Sequence, residues 1–370
     1  MKKLLYYWGI PVIVLCLFVC AGLWIKDLSL WTIFEYYGNI HHPKAFNSET
    51  TGQIGDTIGG TTAPFIALMA GFLTFIAFWA QLRANAQVRE QFNIQQFESQ
   101  YFEMIRLHKE NINEMKISGY SYLMATSIVK NNALETETIT RTQIERIVDG
   151  RKVFVSMVKE LNACFNFCTS YAKQYNVAEP ELHQIVYRLF FFGSFSSLPG
   201  YDQYKDFIEH CKSELKAIRE EHKETFGGKK DFVIDGKKID LHIKYAPFTG
   251  HESRLAHYYR HLFSTVKFVV EKEREGLFSY RKAREYLKIL RAQMSNDEQI
   301  LLYHNYISGL GKDWEKPTNQ FLSKYRMLHN LPLHKVKFIE TPRIHFLKII
   351  LEIKNQSKGN DPMFEWGDAS

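Results

Sequence analysis

The fold is decided by residues 57–116, TIGGTTAPFIALMAGFLTFIAFWAQLRANAQVREQFNIQQFESQYFEMIRLHKENINEMK. The first part, 57–82, contains no charged residue and is long enough to cross the hydrocarbon core of a bilayer. No helix breaker follows, and apolar side chains keep recurring at helical spacing to the end of the stretch. We therefore predict a membrane helix over 57–82 that continues as a stalk helix over 83–118 and ends before Gly119.

Another uncharged apolar run lies nearer to the N-terminus, over 4–25. At about 1.5 Å per residue, an α-helix of this length reaches about 33 Å. A cleaved signal peptide is the alternative, but this run is long for one and does not end in the small residues of a cleavage site. We predict a transmembrane hairpin over 1–82, made of a first helix over 4–25, an external loop over 26–56 and a second helix over 57–82.

Basic residues flank the outer ends of this hairpin. Lys2 and Lys3 precede the first helix, and Arg83 and Arg89 follow the second. Positively charged residues next to membrane helices remain on the cytoplasmic side. The sequence therefore predicts a two-pass protein of the bacterial inner membrane, with both termini in the cytoplasm.

The second helix carries a stripe of small residues at every fourth position, namely Gly59, Ala63, Ala67 and Gly71. Small side chains let helix backbones approach closely in lipid. The stripe has two interpretations. It packs against the first membrane helix of the same chain, or it joins one copy of the chain to another as a homo-oligomer.

The rest of the chain predicts a mainly all-α protein with a cytoplasmic helical domain over 119–355 and a disordered tail over 356–370. Polar residues 131–142 are interpreted as a loop. One small β-hairpin is expected, because strand patterns occur only at 232–234 and 239–243, on either side of Asp235-Gly236. Helices are predicted over 141–175, 181–192, 205–225, 253–274, 279–293, 297–309, 315–329 and 341–354.

Composition restricts the functional classes. The formal charge of +7 is spread along the chain and does not require nucleic acid as a direct ligand. The five cysteines include no Cys-x-x-Cys pair and no zinc-like spacing with histidine, so we expect buried, reduced thiols and no metal. No nucleotide-binding or hydrolase motif is present. We therefore expect no cofactor, and a non-enzymatic role is favoured over an enzymatic one.

One dense polar segment, GHESRLAHYYRHLF at 250–263, is the candidate site. On a helix its Arg254, His257, Tyr258 and His261 fall on one face, with Arg260 beside them. A structural network joining helices is the first interpretation. A pocket for an anion or nucleotide is the second. The third is a ribonuclease of the HEPN type, since an arginine followed by six residues and a histidine fits that loose pattern. There the histidine would act as a base and the arginine would stabilise phosphate charge.

Several segments together resemble a known family, the AbiC-like phage abortive infection proteins, which are bacterial membrane proteins. The resemblance runs over nearly the whole chain and is strongest at Gly-His-x-Ser-Arg-Leu. The segments that carry it are 52–56 (GQIGD), 97–108 (FESQYFEMIRLH), 150–154 (GRKVF), 190–193 (FFFG), 250–262 (GHESRLAHYYRHL) and 290–295 (LRAQMS). The resemblance implies antiviral defence, in which an infected cell dies or stops growing before the phage matures. It carries over no catalytic site.

Two mechanisms remain open. In the first, the chain is a toxin effector that disrupts the lipid bilayer when it is activated by a phage-derived trigger or a partner defence subunit, such as a reverse transcriptase. In the second, it is a membrane-tethered ribonuclease or nucleotide-binding effector centred on Arg254 and His261. A scaffold that holds a toxic partner at the membrane is a further possibility.

Overall fold

A computed structural model describes residues 48–131, 134–224, 232–234, 236–357 and 361–365. These residues fall into two compact units that divide between Ile94 and Gln95. The predicted first membrane helix, together with Lys2 and Lys3, lies outside the described residues. The two-helix hairpin, its topology and the domain limits at 82 and 118 therefore stay predictions.

The longest element is helix α1, Ser48–Glu114, which has 67 residues and contains Pro64. It includes the whole predicted second membrane helix and most of the predicted stalk. Part of it is long and apolar enough to cross a membrane, and the rest of the described chain buries none of that stretch. The helix begins inside the predicted external loop, at Ser48, and it ends at Glu114 instead of residue 118, because a β-strand begins at Lys116.

A long antiparallel hairpin follows α1 and corrects the prediction for this region. Strands β1 (Lys116–Asn131) and β2 (Leu134–Asp149) pair from Lys116↔Asp149 to Asn131↔Leu134. We expected a polar loop over 131–142 and a helix from 141. The segment is polar, but residues 134–149 contain four threonines and three isoleucines, whose β-branched side chains favour strands. Helix formation begins only after Gly150, a position with φ of 55°.

The remaining architecture is mainly helical, as predicted. The small hairpin is present as β3 (Phe232–Ile234) paired with β4 (Lys237–Ile239). Its second strand is corrected, because β4 ends at Ile239, where the predicted strand over 239–243 begins, and residues 240–243 are irregular. Most helices begin and end within a few residues of their predicted limits. Pro at the start of α3 and Gly193 after its end explain its limits. The helices are α2 (Arg151–Ala172), α3 (Glu179–Phe192), α4 (Lys205–Glu224), α5 (Glu252–Arg274), α6 (Tyr280–Arg291), α7 (Asn296–Ile307), α8 (Pro342–His345) and α9 (Leu347–Ser357).

Two further predictions near the C-terminus are corrected. The helix expected over 315–329 is replaced by a short 3-10 turn, Lys312–Glu315, and irregular chain. The Glu315 carboxylate accepts bonds from the backbone N–H groups of Leu322 and Ser323, which compete with helix formation. Residues 361–365 of the expected disordered tail are ordered, because Met363 and Phe364 are buried in the core.

The core of the second unit is built around α2, which is buried along most of its length. The C-terminal part of α1 is fixed to this core through aromatic rings. Phe97 lies 5.2 Å from Phe268 and 5.0 Å from Tyr286 between ring centroids, and the Tyr101 hydroxyl donates to the Tyr286 carbonyl. The end of α1 is therefore part of the same core as α5 and α6.

Candidate functional site

A group of ionisable side chains, three of them buried, lies where four helices meet. His108 comes from α1, Arg151 is the first residue of α2, Tyr258 and His261 come from α5, and Glu298 comes from α7. We call these five residues the polar cluster. Ionisable side chains are rarely buried unless hydrogen bonds or charge pairs satisfy them, and they often mark functional sites. The polar cluster is therefore the candidate functional site.

Glu298 is the acceptor at the centre of the polar cluster and is fully buried. One carboxylate oxygen accepts the Tyr258 hydroxyl at 2.7 Å. The other accepts the hydroxyl of Ser295 at 2.8 Å and its backbone N–H at 3.1 Å, which forms the capping box that starts α7. The Arg151 guanidinium lies 3.7 Å away. Burial raises the pKa of Glu298, and the bonds from Tyr258 and Ser295 oppose that rise.

His108 and His261 form the other half of the polar cluster. Their rings stack with centroids 5.9 Å apart, and the Tyr258 ring lies 5.3 Å from His108. His108 is 1% exposed. Burial lowers the pKa of His108 to about 4, and the charges of His261 and Arg151 act in the same direction. Burial, and then His257, lower the pKa of His261. Both rings are therefore uncharged at neutral pH.

The residues predicted from the 250–263 segment do not all meet. Tyr258 and His261 enter the polar cluster, but the Arg254 guanidinium donates to the backbone carbonyl of Lys116 at 2.8 Å. Arg260 donates through Nε to the Ala256 carbonyl of its own helix, and His257 is exposed. The cation of the polar cluster is Arg151, a residue from outside the predicted segment.

Sequence reasoning missed His108, Arg151 and Glu298 as members of one site. In the sequence, His108 falls on the apolar stripe of the predicted stalk helix, which indicates a packing position. Arg151 has no distinctive neighbours in sequence. One signal was available. His108, Arg151 and Ser295, which caps α7 beside Glu298, each lie in a segment that carries the family resemblance, and the fold brings these segments together.

A second buried acid positions the start of α5. Glu160 of α2 accepts the Phe248 backbone N–H at 2.6 Å and lies 2.9 Å from the Nε2 atom of His251. This arrangement depends on a close backbone crossing between Gly193 (φ 92°) and Gly250 (φ 93°). A Cβ atom at either position would come within 2.8 Å of the other segment's backbone, so only glycine fits.

The membrane-helix residues occupy the first unit. Gly59, Ala63, Ala67 and Gly71 are exposed on α1, and a Cβ atom added at either glycine meets nothing within 4 Å. Arg83 lies over the Trp79 ring at 4.3 Å, a cation–π contact at the end of the apolar run. Arg89 is exposed.

The described residues contain three cysteines and many potential metal ligands. Cys164, Cys168 and Cys211 are free and buried, which confirms the expected reduced thiols at these three positions. Cys16 and Cys20 lie outside the described residues. Within the described ranges, no group of three or more histidine, cysteine, aspartate or glutamate side chains is arranged to hold a metal ion.

Comparison with known proteins gives one match. The family model described as "Putative phage abortive infection protein" matches residues 250–336. No curated protein and no solved structure matches the chain. The matched segment contains Tyr258, His261 and Glu298 of the polar cluster. Over residues 250–336 the chain therefore matches the phage abortive infection family, as the sequence motifs predicted.

Proposed function

We propose that this chain is a membrane-anchored antiphage defence protein that acts in abortive infection by disrupting the bilayer when it is activated. The family match over residues 250–336 supports the defence role. The single observation that carries the membrane role is the exposed apolar surface of α1. The proposal includes a bacterial inner membrane location with both termini in the cytoplasm, as the basic residues flanking the predicted hairpin favour.

The apolar segment of α1 presents its large side chains to the surroundings. Seven of them have exposed fractions between 38% and 65%, and a continuous apolar surface of this kind is unfavourable in water. Lipid removes that cost without requiring any protein partner. Trp79 and Arg83 at the end of the segment suit the interface between lipid and water. The seven residues are Ile66, Leu68, Met69, Leu73, Ile76, Phe78 and Leu82.

The polar cluster offers a route for activation. Helix α1 carries both the apolar segment and His108, and His108 packs against Tyr258 and His261 of α5. A trigger or partner that rearranges α5 therefore changes the packing of the helix that carries the membrane segment. In this proposal the resting cluster holds the protein harmless, and its rearrangement permits the small-residue stripes of several copies to associate.

The test is a pair of double variants in α1. Gly59→Leu with Gly71→Leu adds bulk along the stripe, whereas Thr62→Leu with Ala80→Leu places two leucines on another side of the helix. We expect the glycine variant to lose protection in phage plating assays while remaining in the membrane fraction, and the control to protect normally. Full protection by the glycine variant would contradict a role for the stripe.

A second function, phosphodiester cleavage, is favoured by one observation. Two imidazole rings and the half-exposed guanidinium of Arg151 lie in the same cluster, which is a set of groups suited to proton transfer and phosphate binding. In this alternative His261 is the general base. The His261→Gln variant would then lose defence, and RNA from infected cells would remain intact.

A further inference from the structure

An open groove of about 410 Å³ runs beside α5, separate from the polar cluster. Its surface is mainly apolar and includes four aromatic residues, and a few polar groups also line it. Residues of α5 form one side, and the end of α7 with the turn at 310–314 forms the other. Its lining includes Tyr259, Arg260, Phe263, Ser264, Asn305 and Trp314.

The groove is rigidly formed on both sides. On α5 its lining residues Ala256, Tyr259, Arg260, Phe263 and Ser264 follow helical spacing, so they share one face. On the opposite side Gly311 packs closely against Asn305. A Cβ atom at Gly311 would lie 2.3 Å from the Asn305 side-chain oxygen. The Trp314 backbone N–H bonds to the Gly311 carbonyl, and its ring meets Phe263 edge-on at 5.3 Å. A ligand would therefore find a preformed site.

The mouth of the groove carries positive charge. Arg260 uses Nε to bind the Ala256 carbonyl at 3.1 Å, and its terminal nitrogens have no partner among the described residues. The other charged group in the lining, Asp313, is paired with Lys316 at 2.7 Å. An uncompensated guanidinium beside aromatic rings suits an anion that is joined to a planar ring system.

We propose that this groove binds a mononucleotide-class ligand, with the base against the aromatic lining and the phosphate at Arg260. The volume lies in the range of small-molecule sites. A bare anion would gain nothing from Phe263 and Trp314, and an uncharged apolar molecule would gain nothing from Arg260. Stacking on aromatic side chains tolerates any base, so the site selects the nucleotide class by ring and phosphate together. This inference goes beyond the proposed membrane role and does not depend on it.

The test is equilibrium binding to the full chain in detergent micelles, with a fluorescent ribose-labelled AMP as the probe. Unlabelled AMP, adenosine and inorganic phosphate serve as competitors. We expect saturable binding of the probe, and adenosine should compete about tenfold less well than AMP because it lacks the phosphate. In Arg260→Gln, binding of AMP should weaken about tenfold, to the level of adenosine. Arg281→Gln, at a side chain that is 91% exposed, is the charge-matched control and should bind normally.

A second pair of variants tests the location. Ser264→Phe fills the groove from its exposed edge and should abolish binding, whereas Ser213→Phe on the exposed face of α4 should not. Melting temperatures that equal the wild-type value in the same micelles without nucleotide would show that both variants fold. Absence of saturable binding to the wild-type chain would overturn the proposal, and so would equal affinity in the wild type, Arg260→Gln and Ser264→Phe.

Discussion

The His108 and His261 rings stack 5.9 Å apart between centroids, and this contact joins the helix that carries the apolar segment to the helix that carries the family motif. Both rings are neutral at physiological pH because burial lowers their pKa values. An uncharged contact of this kind is sensitive to protonation, since a charge on either imidazole would be buried beside the other and beside Arg151.

The first prediction concerns acid sensitivity. The pKa of His108 is about 4 in the fold against an ordinary value of 6.5, so the unfolded chain binds the proton more readily between these limits. Stability from this group is present above pH 6.5 and is lost as the pH falls towards 4, by about 3 kcal/mol in total. His108→Phe keeps an aromatic ring and removes the proton site. We expect unfolding of the variant to depend less on pH between 7.5 and 5 than unfolding of the wild type.

The control for this prediction is His334→Phe. His334 is exposed, so its ring remains in contact with water in both states. Its substitution should leave the pH dependence as in the wild type. Equal loss of stability on acidification in wild type and His108→Phe would show that His108 is not the group responsible.

The second prediction is energetic coupling between Tyr258 and Glu298. The Tyr258 hydroxyl donates to the buried carboxylate at 2.7 Å, and bonds to charged groups contribute about 1.5–3 kcal/mol. Tyr258→Phe and Glu298→Gln should each destabilise the chain, and the double variant should cost about 1–2 kcal/mol less than their sum. Denaturant unfolding of the four proteins measures this coupling. Strict additivity would mean that the two groups do not interact.

The third prediction concerns the buried Glu160. Glu160→Leu leaves both the Phe248 backbone N–H and the His251 ring without their acceptor, which should cost about 3–5 kcal/mol. Glu160→Gln keeps one acceptor oxygen and should cost less. Glu209→Leu on the surface of α4 is the control and should be nearly neutral. Melting temperatures measure this order, and we expect Glu160→Leu to melt lowest. Equal melting temperatures of Glu160→Leu and Glu160→Gln would contradict the prediction.

The fourth prediction tests the C-terminal segment. Met363 and Phe364 are fully buried, and Asp361 pairs with Arg284 and Arg326. A chain ended after residue 360 loses both apolar side chains from the core, which should cost on the order of 3–6 kcal/mol. A chain ended after residue 365 keeps them and should melt like the full chain. Equal melting of the two truncated chains would show that the segment does not contribute to stability.

The sequence predicted those parts of the fold that depend on local chemistry. The start of α7 is an example, because its capping box joins Ser295 to Glu298 and involves only residues three apart. The end of α3 at Gly193 and the pairing of β3 with β4 around Gly236 follow the same logic. Each of these features is determined by a few neighbouring residues.

Features that depend on competition or on distant contacts were not predictable. Residues 131–142, predicted as a loop, and the start of the helix predicted from 141 belong to the β1–β2 hairpin, because β-branched residues in this polar segment favour strands. Residues 361–365 are ordered because Met363 and Phe364 pack into a core built from residues far away in the sequence. The polar cluster needed the tertiary fold, since His108 and Glu298 are far apart in sequence and the capping pattern at Glu298 gives no sign of a contact with α5.

The central claim, membrane disruption on activation, is tested most directly by measuring membrane potential and propidium uptake during phage infection. Cells carrying wild type, His261→Gln and the Gly59→Leu, Gly71→Leu variant are compared. We predict that wild-type cells depolarise and take up dye before lysis, and that the glycine variant does neither. Polarised membranes in growth-arrested wild-type cells, with RNA cleavage that His261→Gln abolishes, would contradict the claim and favour the enzymatic alternative.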